Sequence, residues 1–415
     1  MLDIKYIKEN TDLVKENLKK RNFDISLIDK VLSIYEEKNN ILQEFESLKH
    51  NKSETEKEFL KTKDDSLKEK LSSFKDKEKT LEENLKTISD KYTDLLKTIP
   101  NLVSQDTKPT KDEEILKQMD PVQFDFTPLT HDVLGKNLDL IDTDTAGNTS
   151  GTRFSFLKND LVLLEFALIQ FVYDKIIQKD LSFIPILPPF FIKKEFLEKT
   201  GYVNNQDELE DVYNVSDDLY LIATSEHIIE AYLANTTFKK EELPKRFLSF
   251  STCFRKEAGS YGKDTKGILR SHQFDKIEMI CITTKENAKK EHDLMRTIEE
   301  QIVSDLDLEY RTLRHGAQDL ADPQYESYDI ETYMYGQQEY RETHSCSNCT
   351  DYQSRRLNIK YTDKDKKEYP YILNGTAIAL GRIIIAIMEK HQTKDGNIEI
   401  PKVLQKYLNK KLITK

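Results

Sequence analysis

A chain of 415 residues is long enough for two domains and at least one large core, and with 33% charged residues and a formal net charge of −11 it is acidic overall. That balance excludes nonspecific coating of nucleic acid, although a locally basic surface remains open to it. Four cysteines, at positions 253, 281, 346 and 349, are too few for a disulfide scaffold, and no apolar run nears the ~20 residues that cross a bilayer.

The opening MLDIKYIKEN carries early acids and no apolar stretch of the secretory kind, so a reducing cytoplasm is the expected compartment. Residues 1–99 contain neither glycine nor proline. Thr11 is a candidate N-cap for the helix DLVKENLKKR. From Ile34 a heptad trace runs through Lys38, Ile41, Phe45, Leu48, Lys52, Thr55 and Phe59, weakening toward its end. After KTKDDS a cleaner trace runs Leu67, Leu71, Phe74, Glu78, Leu81, Leu85, Ile88, Tyr92, Leu95, Ile99. Alternating steps of four and three predict an antiparallel coiled-coil hairpin over about 30–98, roughly 45 Å long, reversing at Asp64, Asp65 and Ser66 and ended by Pro100. Pattern alone favours a spacer or dimerising coil. Lys49, Lys52, Lys57, Lys61, Lys63, Lys68 and Lys70 near the tip can also meet phosphates. Residues 101–123 lose all periodicity and hold Pro109 and Pro121, which predicts a linker before a second unit over 124–415.

In that unit, SGTRFSFLKNDLVLLEFALIQFVYDKII couples a short strand to an apolar helix. FIPILPPFF follows, and its prolines confine it to an edge strand or a strand end. LYLIATSEHIIEAYL places Thr224, Ser225 and Glu226 where a strand gives way to a helix, as N-cap residues and a first-turn acid. FLSFSTCF and HQFDKIEMICI read as two strands of a hairpin, joined by a loop carrying Gly259, Gly262, Gly267, Lys256, Lys263, Lys266 and Arg270. Arg255 on one strand can clamp a phosphate or carboxylate, Phe274 on the other can stack on a base, and Glu278 can hold an ammonium or hydroxyl. A surface hairpin with hydrated charges is the plainer alternative. In YRETHSCSNCTDYQSRRLNIKY, Glu342 and Ser345 can share a Mg²⁺ beside a triphosphate. His344, Cys346 and Cys349 lack the fourth ligand that structural zinc needs, so no zinc is expected. LNGTAIALGRIIIAIME ends in an apolar helix on which Arg382 needs an anionic partner.

Phe254-Arg255-x-Glu257 with its basic loop resembles the second signature motif of class II aminoacyl-tRNA synthetases, and HQFDKIEM is similar more narrowly to seryl-tRNA synthetases of the bacterial type. Pro189 matches the first class II motif, at the dimer interface, and Gly381-Arg382 the third. The resemblance covers nearly the whole chain. It implies an α+β fold: a class II catalytic domain with a mainly antiparallel sheet flanked by helices, preceded by a tRNA-binding helical arm over residues 1–100. It also implies a homodimer acting on L-serine, ATP with Mg²⁺, and tRNA(Ser), with selenocysteine tRNA as a further acceptor.

By the same resemblance, Arg255 takes the α-phosphate and serine carboxylate, and Arg382 the terminal phosphate. Phe274 stacks on adenine with Glu257 near its amino group, and Lys256, Ser271, Thr343 and His344 belong to the ATP site. Glu342 and Ser345 hold the metal. Thr224, Ser225, Glu226, Glu278, Asn374 and Thr376 surround serine. The chain departs from the family at Thr343 and His344, between the metal ligands, at Ser271, and at Ala321 and Glu326, where a glycine and a lysine are usual. A homologue loading a carrier other than tRNA, and an inactive coiled-coil interaction protein, are the alternative readings; the intact arm stands against the first, and Arg255, Glu257, Glu278 and Arg382 against the second.

Overall fold

The computed structural model describes residues 1–178, 181–257 and 266–415, without the side chain of Gln206. The chain divides into two compact units, Met1–Leu102 and Val103–Lys415.

In the first unit, short helices Ile4–Glu9 and Thr11–Lys20 bury Ile7, Val14 and Leu18. Thr11 begins its helix rather than capping it: the cap position is Asn10, and the Thr11 hydroxyl donates back to the Ile7 carbonyl at 2.9 Å. Helices Ser26–Thr62 and Ser66–Lys97 then form the long hairpin. The reversal falls where the acids predicted it, Ser66 N donating to Asp64 Oδ1 at 2.9 Å after a left-handed Lys63. Both heptad traces lie on the sheltered seam. Its polar positions pair with one another, which explains the weak first trace. Lys52 and Glu78 bond at 2.6 Å, and the Lys38 ammonium sits 4.7 Å from the Tyr92 ring centroid.

The second unit is built on an eight-stranded sheet. Its spatial order is Glu114–Gln118, Tyr310–Arg314, Glu326–Met334, Glu339–Asn348, Tyr371–Ala379, Gln273–Thr283, Lys245–Phe254 and Phe183–Ile186. Every pairing is antiparallel except the last, where the proline-bearing edge strand runs parallel to its neighbour. The expected linker therefore contributes an edge strand: Glu114–Gln118 pairs with Tyr310–Arg314. Four of its five residues are exposed, so no alternation marks it in the sequence.

Alternation along Gln273–Thr283 places the site. Ile277, Met279 and Cys281 enter the main core with Met295 and Ile302 of helix Ala288–Asp305 and Ile383–Ile387 of helix Leu380–Lys390. Phe274, Lys276 and Glu278 point to the other face. Lys245–Phe254 and Gln273–Thr283 pair from Phe254↔Gln273 onward, and Arg255 N adds one more bond to the His272 carbonyl at 2.9 Å. Gly259, Gly262 and Lys263 of the expected loop lie outside the described residues.

Where the loop rejoins the fold, Gly267 has φ +67°, and a Cβ there would lie 1.9 Å from His131 Nε2. That nitrogen accepts from Ile268 N at 3.2 Å while Nδ1 meets Glu389 at 3.1 Å, so His131 cannot step aside freely. Gly267→Ala is accordingly expected to cost about 2–4 kcal/mol and lower the thermal midpoint by several degrees, readable by calorimetry.

Candidate active site

The polar face of the sheet opens into a cavity of about 590 Å³ bordered by Thr224, Glu226, Arg255, Lys276, Glu278 and Asn374. A smaller cavity continues it past Phe274, Thr376 and Arg382, and the two share Arg255, Glu257, Lys276, Glu342 and Ser345. Helix Ser225–Tyr232 supplies one wall; its N-cap is Thr224, whose Oγ1 accepts from Glu226 N at 3.3 Å.

At the deep end, carboxylates and donors interlock. Glu226 Oε1 accepts from Asn374 Nδ2 and from Gln353 Nε2, each at 3.0 Å. Burial pushes the Glu226 carboxyl up to about 7, Gln353 draws it back, and the like charge of Glu278 adds to the rise. Thr376 Oγ1 donates to Glu278 Oε1 at 2.9 Å. Lys276 forms a close ion pair with Glu278 and donates to Thr224 Oγ1 at 3.0 Å. Ser225, by contrast, is fully buried and absent from the cavity wall.

Toward the other end stand the two arginines. Arg255 is exposed, its guanidinium 5.2 Å from the Phe274 ring centroid and Nε donating to the Ala223 carbonyl at 3.4 Å. Arg382 donates through one nitrogen to the Glu342 carbonyl at 2.7 Å and its carboxylate at 2.9 Å, which is the anionic partner its helix demands. Desolvation raises Glu342, but Arg382 first and then Arg255 overcome it and hold the carboxyl below its ordinary range. Two guanidiniums remote in sequence thus act on one carboxylate. Glu257 pairs with Arg270 at 2.7 Å. Lys256 reaches away from the arginines to the Glu210 carbonyl at 2.5 Å, and Ser271 Oγ donates to the Ile268 carbonyl at 3.4 Å.

Glu342 and Ser345 are three residues apart, a spacing that in a regular strand points side chains to opposite faces. The register slips between Ile330↔His344 and Glu331↔Glu342, so Thr343 is an inserted residue and both oxygen-bearing side chains reach the cavity. Thr343 Oγ1 instead bonds Thr332 Oγ1 at 2.8 Å and the Ile330 carbonyl at 3.1 Å. His344 is buried, with Nδ1 2.9 Å from Thr343 Oγ1. The Thr343 hydroxyl is thus tied to the neighbouring strand although the residue borders the smaller cavity, whereas His344 borders neither cavity. Cys346 and Cys349 do not gather with His344, facing the His292 carbonyl at 3.8 Å and Asn374 Nδ2 at 3.7 Å.

The family model for the seryl-tRNA synthetase N-terminal domain matches residues 1–103, and that for the class II tRNA synthetase core domain (G, H, P, S and T) matches 209–391. Across 426 aligned residues the chain is 38% identical to the serine–tRNA ligase of Petrotoga mobilis, with 100% of each chain covered. The chain belongs to the seryl-tRNA synthetase family. It is also 42% identical to the serine–tRNA ligase of Nitrosopumilus maritimus over 324 residues, 76% of each. The crystal structure of seryl-tRNA synthetase from Pyrococcus horikoshii complexed with ATP superposes with a TM-score of 0.92 at 34% identity, covering 100% of this chain and 99% of that one.

Glu326 turns from the cavity to Tyr328 Oη at 3.0 Å and Arg314 Nε at 3.6 Å. Burial raises its carboxyl, but His292 and then Lys289 outweigh that and bring it to about 2. His315 is held between Asp319 at 3.0 Å and Asp329 at 2.9 Å. Burial lowers it, yet Asp329 outweighs burial and brings it to about 9, so a cation stands on the cavity wall. Among the described residues, Glu113, His315 and Asp329 are the cluster with ligating atoms within 4.8 Å of one another, and a metal ion there would have to displace the imidazole proton.

Lys276, Gln353 and His315 were not anticipated. Lys276 had a signal, since it shares the face of Phe274 and Glu278 by period-two spacing; Gln353 and His315 come from remote segments and had none.

Burial holds His227 and His344 neutral, each lowered from 6.5 to about 3. The unfolded chain takes up these protons first, so stability is full above pH 6.5 and falls as pH drops from there toward 3. His344→Gln is expected to shrink the loss of urea midpoint between about pH 8 and about pH 5, as followed by circular dichroism.

Proposed function

We infer that this chain is a serine–tRNA ligase: it joins L-serine and ATP to seryl-adenylate and pyrophosphate, then passes the seryl group to the 3′ end of tRNA(Ser). The observation that carries the assignment is the convergence of Arg255, Arg382 and Thr376 on the smaller cavity, which shares Arg255 with the larger one lined by Glu226, Glu278 and Asn374.

The serine carboxylate oxygen attacks the α-phosphorus and pyrophosphate leaves; a terminal ribose hydroxyl then attacks the carbonyl and AMP leaves. Neither step needs a protein nucleophile, only positioning and charge stabilisation. Arg255 holds the α-phosphate and serine carboxylate through its forked donors, and Arg382 exchanges Glu342 for the terminal phosphate. Phe274 stacks on adenine, and Glu257 accepts from its amino group. Glu226 and Glu278 receive the serine ammonium and hydroxyl with Thr224, Thr376 and Asn374. Polar groups aimed at a hydroxyl reject alanine, by ~10⁴-fold in comparable sites, because alanine leaves them unpaired. Glu342 and Ser345 present hard oxygens on one face, which suits Mg²⁺; when bound it would neutralise the triphosphate.

The arm, residues 1–100, binds tRNA. Two of its tip lysines are engaged in exposed ion pairs (Lys57 with Glu54, Lys68 with Asp65), which phosphates displace at little cost. The protein works as a homodimer, a reading supported by the exposed apolar residues Ile184 and Leu187 of the proline-bearing segment and Leu163 and Phe166 of helix Asp160–Ile177. No described helix is long and apolar enough to cross a membrane, and the cytoplasm is the proposed compartment. Charging of a tRNA(Ser) transcript with labelled serine tests the whole assignment; absence of charging, with a cognate transcript supplied, would refute it.

A further inference from the structure

Behind Glu226 lies a second carboxyl that the reaction leaves unused. Glu230 sits four residues along the Ser225–Tyr232 helix, a spacing that stacks side chains on one face. It is 0% exposed, and neither of its oxygens meets a donor among the described residues. An ionised carboxylate without donors in so dry a place is untenable, so Glu230 is the neutral acid and its O–H needs an acceptor. Glu226 lies within hydrogen-bonding reach, and two carboxyl groups bond only when one of them carries a proton. Burial, then the Glu226 charge, push Glu230 well above the carboxylate range.

The remaining groups facing this pair leave it alone in charge. Tyr202 hydrogen-bonds Glu226 as a neutral phenol, and burial keeps the Cys349 thiol protonated. His227 is neutral, and Lys276 is already paired with Glu278.

We propose that Glu230 is a positioning residue: it donates its proton to Glu226, fixes that carboxylate's orientation, and keeps the pair at one negative charge to meet the single charge of the serine ammonium. This rests on the reading of Glu226 as a serine contact. A doubly ionised pair would be a like-charge pair in low dielectric, and a doubly protonated pair would offer the ammonium no charge at all.

The test uses the full chain in three variants, reading KM for serine and for ATP by pyrophosphate exchange from about pH 6 to about pH 9. Glu230→Leu removes the donor and is expected to raise serine KM about tenfold or more, leave ATP KM unchanged, and move the pH below which serine KM climbs upward. Glu230→Gln keeps an N–H donor of nearly the same shape and is expected to restore both. The infrared difference spectrum of wild type minus Glu230→Gln near neutral pH is expected to show the carbonyl stretch of an unhydrated carboxylic acid, since the equally buried Glu299 contributes to both proteins and cancels. Absence of that difference band would overturn the proposal. Wild-type serine KM and pH profile in Glu230→Leu, or identical behaviour of the Gln and Leu variants, would do the same. Glu226→Gln, expected to raise serine KM, checks the underlying reading separately: no change there would remove Glu226 from the serine site, while the infrared band reports the shared proton independently.

Discussion

Arg255→Ala is expected to lower serine-dependent pyrophosphate exchange by about 10³-fold or more while the thermal midpoint stays where it was. The side chain is exposed, its nearest protein contacts being the Phe274 face at 5.2 Å and one long bond to the Ala223 carbonyl, so little folding energy depends on it. Its catalytic share is different in kind. A pentacoordinate α-phosphorus spreads new negative charge over equatorial oxygens, and a preset fork of N–H donors opposes that charge without reorganising. Arg255→Lys keeps the charge and loses the fork, so it should fall between the two. Full exchange activity in Arg255→Ala would remove the phosphate assignment.

Deleting residues 30–98 is expected to leave exchange within about twofold of the parent and to lower tRNA charging by about 10²-fold or more. The arm's seam closes on itself: Lys52 bonds Glu78, Tyr35 packs 5.7 Å from Tyr92, and the main core is assembled wholly from residues beyond 130. The chemistry of adenylate formation therefore needs nothing from the hairpin, whereas phosphate contacts spread along a long arm multiply into large affinity losses when removed. Charging by the parent chain should also fall steeply as salt rises, and the truncated chain should lose that slope. Equal charging by both proteins would make the arm a spacer.

The hairpin was legible because a heptad repeat is a property of consecutive residues, and the seam kept every traced position, Lys52 and Glu78 included. The signature residues of the cleft were legible for another reason: Phe254 to Glu257 and Gly381-Arg382 are short local patterns. What escaped depends on strands meeting. Glu114–Gln118 is an edge strand with almost no buried face, so its sequence looks like linker. The inserted Thr343 cannot be seen until the register with Ile330 and Glu331 is known, and it is what lets Glu342 and Ser345 reach one cavity. Gln353 and Glu230 complete the Glu226 environment from another helix and from one turn further along the same helix, where each reads in sequence as an ordinary surface polar residue.

Serine-dependent exchange of labelled pyrophosphate into ATP by the unmodified chain with Mg²⁺ is the most direct measurement of the proposed chemistry. Robust exchange with L-serine, and exchange with alanine weaker by orders of magnitude, is the predicted result. No exchange with serine, or equal exchange with alanine, would contradict a cavity in which two arginines hold the nucleotide and paired carboxyls read the amino acid.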